Sequence, residues 1–270
     1  MEGILYIAHG SQKGEKNEEL RNFVEVLHEQ VGSQIPYRTA FLEHTPENIE
    51  NEASTLIGQG VDHLIAAPLL LFSATHALED IPNEIEAVRQ KYPEVMFYFA
   101  DTFGHGIGTR EILQERIQTA LQAWTKNLSN VQVGQESQKL KKLQIEEPVA
   151  DANTICIIVS HGTKRYPTPQ LQLEQICASL EAQVKIKVLP ANIRGHEPFL
   201  PLAIEAMKSY DHLIVVPFFM FEGHLVDEIT QKLEKAALEC NFNGLTITDT
   251  LDFDPRMMQD IAAVIVESRN

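Results

Sequence analysis

Pro68-Leu-Leu-Leu-Phe-Ser-Ala-Thr-His76-Ala-Leu-Glu-Asp-Ile-Pro82 is the stretch whose reading decides the fold: an apolar run stops at a histidine, and an acidic helical start follows within a few residues. The run from Leu64 to Phe72 is too apolar for a strand with one wet face and too short for an independent helix. It reads as a central parallel strand covered on both faces, with His76 just beyond its carboxyl end. Ligands of open α/β sheets bind in the crevice outside those ends, so a metal-capable side chain there marks a candidate site.

Outward from this stretch, strands and helices alternate. Ile4 to Ala8 is a short strand that delivers His9-Gly10-Ser11, and Leu20, Phe23, Val24, Leu27 and Val31 then fall at helical spacing. His28 in that helix reads as a surface residue. Tyr37 to Leu42 is a second strand, delivering Glu43. Thr45-Pro46-Glu47 has the form of an N-cap, a proline at the first helical position and an acid in the first turn, and the helix it opens carries Ile49, Ala53, Leu56 and Ile57. After the central strand come a helix with Ile81, Ile85 and Val88 inward, a strand from Val95 to Ala100, and a helix with Leu113, Ile117, Leu121 and Trp124. This βαβαβαβα series over residues 1–125 predicts a parallel sheet with helices on both faces.

Residues 126–151 lose apolar periodicity and read as a linker, and then the order of elements begins again over 152–270. Ser160-His161-Gly162 repeats Ala8-His9-Gly10, Asp211-His-Leu-Ile214 repeats Asp62-His-Leu-Ile65, and Pro217 to Ile229 repeats the central stretch with His224 for His76. The offsets are 152, 149 and 148 residues, and near-constant spacing over three anchors points to an internal duplication. The expected fold is α/β, with two duplicated flavodoxin-like domains.

The net charge of −16 argues against nucleic acid, whose phosphates demand a basic surface. No apolar run approaches the roughly 18 residues that span a bilayer, and the first residues lack a signal peptide's basic region, so a cytoplasmic protein is expected. Cys156, Cys177 and Cys240 are odd in number and without a CxxC pair, which fits reduced thiols.

If the strand order is 2-1-3-4, His9 and His76 flank the topological switch point and Glu43 ends the neighbouring strand. Two imidazoles and a carboxylate from three adjacent strand ends suit a divalent first-row ion with open coordination positions, and a neutral imidazole can also accept a proton. His44 and His105 are expected near the same crevice, whereas His63 and His212 precede their strands and belong at the opposite end. A metal-dependent hydrolase and a non-enzymatic metal or tetrapyrrole carrier are chemically open to the same set. A histidine phosphatase needs an arginine before its histidine, where this chain has Ala8.

The His-Gly after the first strand and the Pro68 to Pro82 stretch resemble the class II tetrapyrrole chelatases, namely the sirohydrochlorin chelatases of the SirB and CbiX type, over both halves of the chain. The resemblance implies two chelatase-like domains and insertion of ferrous iron, or cobalt, into sirohydrochlorin on the way to sirohaem or cobalamin. It implies that His9 and His76 handle the metal with Glu43 as acidic partner, and that Leu71, Phe72, Ser73, Ala74 and Thr75 form the loop against the macrocycle. The metal is then a substrate rather than a permanently bound cofactor, and a duplicated chain is expected to work as a monomer. Long cobalt chelatases of the family often carry a histidine-rich stretch and an iron–sulfur cysteine motif, both missing here, which favours iron. The substrate's carboxylates need local hosts, and the helix starts after Ser11, Thr45 and His76, with Lys13 nearby, are the expected ones. The first half is expected to carry catalysis, because alignment puts Asn192 or Gly195 opposite Glu43.

Overall fold

In the computed structural model, which describes residues 1–12, 14–133 and 153–269, strands and helices alternate in two successive series. The first runs β1 (Glu2–Ala8), α1 (Gly14–Gly32), β2 (Tyr37–Phe41), α2 (Ile49–Gly58), β3 (His63–Pro68), a π-helical turn (His76–Asp80), α3 (Ile81–Lys91), β4 (Met96–Phe99) and α4 (Ile107–Val133). The second runs β5 (Thr154–Ser160), α5 (Thr168–Val184), β6 (Lys187–Asn192), α6 (Phe199–Ser209), β7 (His212–Pro217), α7 (His224–Glu239), β8 (Leu245–Ile247) and α8 (Arg256–Glu267). Each series builds a four-stranded sheet, ordered β2-β1-β3-β4 and β6-β5-β7-β8, with every pairing parallel. The expected order holds in both, and β1 and β5 lie at the switch points.

Alternation along β1 feeds a core on each face of its sheet. Leu5 and Ile7 meet Ile49, Ala53 and Leu56 of α2 and Ile81, Ile85 and Val88 of α3. Each such side chain, fully buried, contributes about 1.5–3 kcal/mol. Tyr6 faces α1, where its hydroxyl hydrogen-bonds His28 Nδ1 at 3.1 Å while His28 Nε2 bonds Ile35 O at 2.8 Å. The expectation of a surface His28 is therefore corrected: it is 3 % exposed, and burial pushes its pKa down. In the second series Ile157 and Val159 pack on Phe199 and Ala203 of α6 and Ile229 and Leu233 of α7.

Three local expectations are corrected. The central strand ends at Pro68 rather than Phe72, because the chain leaves β1 there and the carbonyls of Leu70 and Leu71 are taken by Phe103 and Gly104 instead. Helix α2 is capped by Asn48, whose side chain accepts from Asn51 N–H at 2.8 Å, and not by Thr45. Glu47 is withheld from the helix because its carbonyl accepts from Phe41 N–H, so residues 42 to 48 form a loop. Of the expected linker, residues 126–133 continue α4, while 134–151 lie outside the described residues, as does Lys13.

Packing groups residues 1–109, 165–172 and 253–270 into one compact unit and 110–164 with 173–252 into another. Each contiguous half supplies one whole sheet, but α8 belongs to the first unit and α4 from Arg110 onward to the second. In the first unit the buried Asp260 carboxylate of α8 accepts from Gly108 N–H (3.0 Å), Thr109 N–H (2.7 Å) and the Thr109 hydroxyl (2.8 Å). In the second, Trp124 of α4 stacks on His212 with ring centroids 4.5 Å apart.

Candidate active site

His9 follows β1 directly, and the parallel ladder continues past the strand ends: Leu42 N–H donates to Ala8 O at 2.9 Å and Glu43 N–H to His9 O at 3.0 Å. Gly10 has φ +91°, and a Cβ there would lie 2.1 Å from Glu43 O, so only glycine lets the loop run this close. His76 arrives by a longer route than the sequence suggests. Residues 69–75 separate it from β3, and it opens the π-helical turn in front of α3. The two rings nonetheless meet edge to face, with centroids 4.7 Å apart and planes at 84°.

The hydrogen bonds of the rings decide what they offer. His9 Nδ1 lies 3.2 Å from Gly10 O and His76 Nδ1 lies 2.7 Å from Asp80 Oδ2. A carbonyl and a carboxylate only accept, so Nδ1 is the protonated nitrogen of each ring, and in the neutral imidazole Nε2 then keeps the lone pair. Two facing imidazoles in this tautomer can bind a first-row divalent ion or take up a proton.

The third expected ligand is placed differently. The backbone of Glu43 adjoins His9, but its half-exposed carboxylate lies 3.3 Å from His44 Nε2. Among the described residues, no three His, Cys, Asp or Glu side chains group closely enough to hold a metal ion. His44, with φ +69°, sits beside the site through its contact with Glu43, and His105 is exposed in the loop after β4, next to Gly104, whose N–H donates to Leu71 O at 3.0 Å. Leu71 to Thr75 form a half-buried loop, pinned by Ser73 Oγ, 3.2 Å from Asp101 Oδ1 and 2.9 Å from Thr102 Oγ1. His63 and His212 begin β3 and β7, at the opposite sheet ends as expected. Burial pushes the His212 pKa down to about 4.

Asp80 is the residue that sequence reading missed. A histidine and an aspartate four apart at a helix start were the available signal, since such pairs share a face.

The second series repeats the backbone of the site and changes its charges. Arg194 N–H donates to His161 O at 2.8 Å, and Ile193 N–H to Ser160 O at 3.0 Å, so Arg194 holds the place of Glu43. The expected counterparts are corrected: Asn192 is paired with Ser160 inside the ladder, one turn of the pleat earlier, and Gly195 comes one residue later. His224 opens α7 without a π-helical turn. Glu228, four residues on, lies 2.5 Å from Lys232 Nζ and 3.6 Å from Arg194, and the hydrogen bond from Lys232 lowers its pKa.

A family model described as CbiX matches residues 3–120 and, a second time, 155–268, in step with the internal duplication. The sirohydrochlorin ferrochelatase of Priestia megaterium is 28% identical over 242 residues, covering 88% of this chain and 80% of that protein. The sirohydrochlorin cobaltochelatase of the same organism is 23% identical over 260 residues, covering 95% of this chain and 76% of that protein. Among solved structures, the sirohydrochlorin chelatase SirB from Bacillus subtilis subspecies spizizenii, in complex with cobalt, has a TM-score of 0.75 at 20% identity, covering 99% of this chain and 94% of that one.

Proposed function

The chain belongs to the CbiX family, and from that premise we propose that it is a metal chelatase inserting ferrous iron into sirohydrochlorin to form sirohaem. The observation that carries this reading is the facing pair His9 and His76, each with an Nε2 lone pair, at the carboxyl ends of a parallel sheet. Insertion exchanges one divalent ion for two pyrrole N–H protons. A metal in transit must be held by few protein ligands so that the macrocycle's nitrogens can replace them. Two imidazoles suit that task, whereas hydrolytic zinc takes three protein ligands.

In this reading His9 and His76 are the facing ligands through Nε2, and as the ion passes to the ring the freed Nε2 of His9 accepts one pyrrole proton while the other leaves to solvent by way of Glu43. Glu43, beside His9 along the backbone, offsets the ion's charge, and the pinned loop Leu71, Phe72, Ser73, Ala74 and Thr75 lies against the ring. The catalytic half is residues 1–125, since 152–270 carries Arg194 where the first half has Glu43, and a cation there opposes a divalent ion. Residues 126–151 join the two. The chain acts as a monomer in the cytoplasm, with tetrapyrrole and metal ion as its partners. Among the described residues no helix is long and apolar enough to cross a membrane.

Iron is favoured because, of the relatives that match most of this chain, the two ferrochelatases are 28% and 24% identical and the cobaltochelatase 23%, and because Cys156 and Cys177 are buried thiols whose pKa is raised by burial, which makes them poor cluster ligands. Cobalt is the second reading, carried by the cobaltochelatase relative. Anaerobic incubation of the protein with sirohydrochlorin and either ion, followed by absorption, tests both. Faster metallation with iron than with cobalt is expected, and no acceleration over the uncatalysed rate with either ion contradicts the chelatase reading.

A further inference from the structure

Resting on the metallation reading, we propose that Asp80 is a positioning residue that fixes the tautomer and aim of His76. Its carboxylate lies 2.7 Å from His76 Nδ1, within the range of a charge-assisted hydrogen bond. Because a carboxylate only accepts, the Nδ1 proton is held there and the Nε2 lone pair is left for the ion. An outer carboxylate that orients a ligating imidazole also raises its basicity, and losing one typically costs a metal site roughly 10- to 100-fold in affinity.

The common alternative role for an acid at this place is helix capping. Asp80 occupies the N-cap position of α3 but makes no side-chain capping bond, and its backbone is helical. The carboxylate is thus committed to His76. The local backbone is unusual as well: Ile81 N–H bonds back to His76 O, a five-residue step, so the turn that carries both residues is π-helical. Such turns are rare and gather at functional sites.

The second half of the chain is an internal control. Glu228 stands four residues after His224, as Asp80 does after His76, yet it bonds Lys232 and lies near Arg194. Among the described residues no hydrogen bond joins it to His224, and the π-helical turn is replaced by a regular helix start. The corresponding histidine, with an acid at the same spacing, lacks the hydrogen bond that orients His76. Asp80 is thus a second difference between the halves, beside Glu43.

Asp80→Asn and Asp80→Ala in the full-length chain test the proposal. The amide of the Asn variant can donate to Nδ1 and drive the proton to Nε2, which removes the ligating lone pair. Long-range proton–nitrogen correlation of histidine-labelled protein reads the tautomer directly, with the His76 signal assigned by its loss in His76→Ala. Cobalt titration of the apo protein reads the metal affinity. Expected are a single Nδ1–H tautomer for His76 in the wild type, a mixed or reversed one in both variants, and cobalt affinity lower by roughly 10- to 100-fold. Asp80→Glu restores part of both, and urea unfolding of all variants matches the wild type. Unchanged tautomer and unchanged affinity in the Asn and Ala variants overturn the proposal. If the Asn and Ala variants shift the tautomer and weaken cobalt binding as expected, yet the wild-type chain fails to metallate sirohydrochlorin, the positioning role stands and the chelatase reading alone is overturned.

Discussion

Replacing Gly10 with alanine perturbs the site without touching a ligand. The residue has φ +91°, and a left-handed backbone costs a non-glycine residue about 1–2 kcal/mol. The new Cβ would sit 2.1 Å from Glu43 O. A carbon–oxygen contact needs about 3.3 Å, so the loop must retreat by about 1 Å. That retreat opens the 3.0 Å bond from Glu43 N–H to His9 O. A hydrogen bond of this kind contributes about 1 kcal/mol net, for a total of about 2–3 kcal/mol. His9 moves with the loop, and a misplacement of about 1 Å costs on the order of 100-fold in rate. Urea unfolding and metallation rates are measured on Gly10→Ala beside Gly162→Ala, whose φ is +71° and whose Cβ would meet Asn192 Cβ at 2.5 Å. Both variants should lose comparable stability, and only the first should lose activity. Wild-type turnover by folded Gly10→Ala, or equal losses of turnover in both, would refute the placement of the working site behind Gly10.

His212 makes stability depend on pH. Its native pKa is pushed down to about 4 from an ordinary 6.5, so the unfolded chain binds more protons between those values and stability, full above about 6.5, falls on acidification. From pH 7.5 to 5 the wild type should lose about 2 kcal/mol more than His212→Phe in paired urea titrations, and parallel curves would contradict a buried neutral imidazole. Asp260→Ala strands the Gly108 and Thr109 donors and should cost about 3 kcal/mol. A loss below about 1 kcal/mol would mean that water replaces the carboxylate.

The duplication was legible because its anchors are chemical: two histidines, an Asp-His-Leu-Ile and a proline-led apolar run recur in order. The sheet order was not, since the same alternation fits other windings, and 2-1-3-4 entered only as a condition that the parallel ladders fulfil. Leu69 to Phe72 misled because apolar content cannot tell a strand from a loop whose carbonyls are taken by a neighbouring segment, here Phe103 and Gly104. His28 follows Val24 by four residues and so shares its buried face, a signal lost by scoring apolar residues alone. Arg194 was hidden because register, not sequence offset, decides which side chain stands beside His161. The i,i+4 spacing of His76 and Asp80 was legible as a shared face, but the π-helical turn that carries both residues is announced by no residue pattern.

The central claim is that one pair of histidines, His9 and His76, carries the metal into the ring. The most direct measurement is the anaerobic rate of sirohydrochlorin metallation by wild type, His76→Ala and His224→Ala at identical iron and tetrapyrrole concentrations, with folding checked by circular dichroism. Expected is loss of nearly all turnover in His76→Ala and a rate near wild type in His224→Ala. Retention of turnover in folded His76→Ala, or equal losses in the two variants, would contradict it.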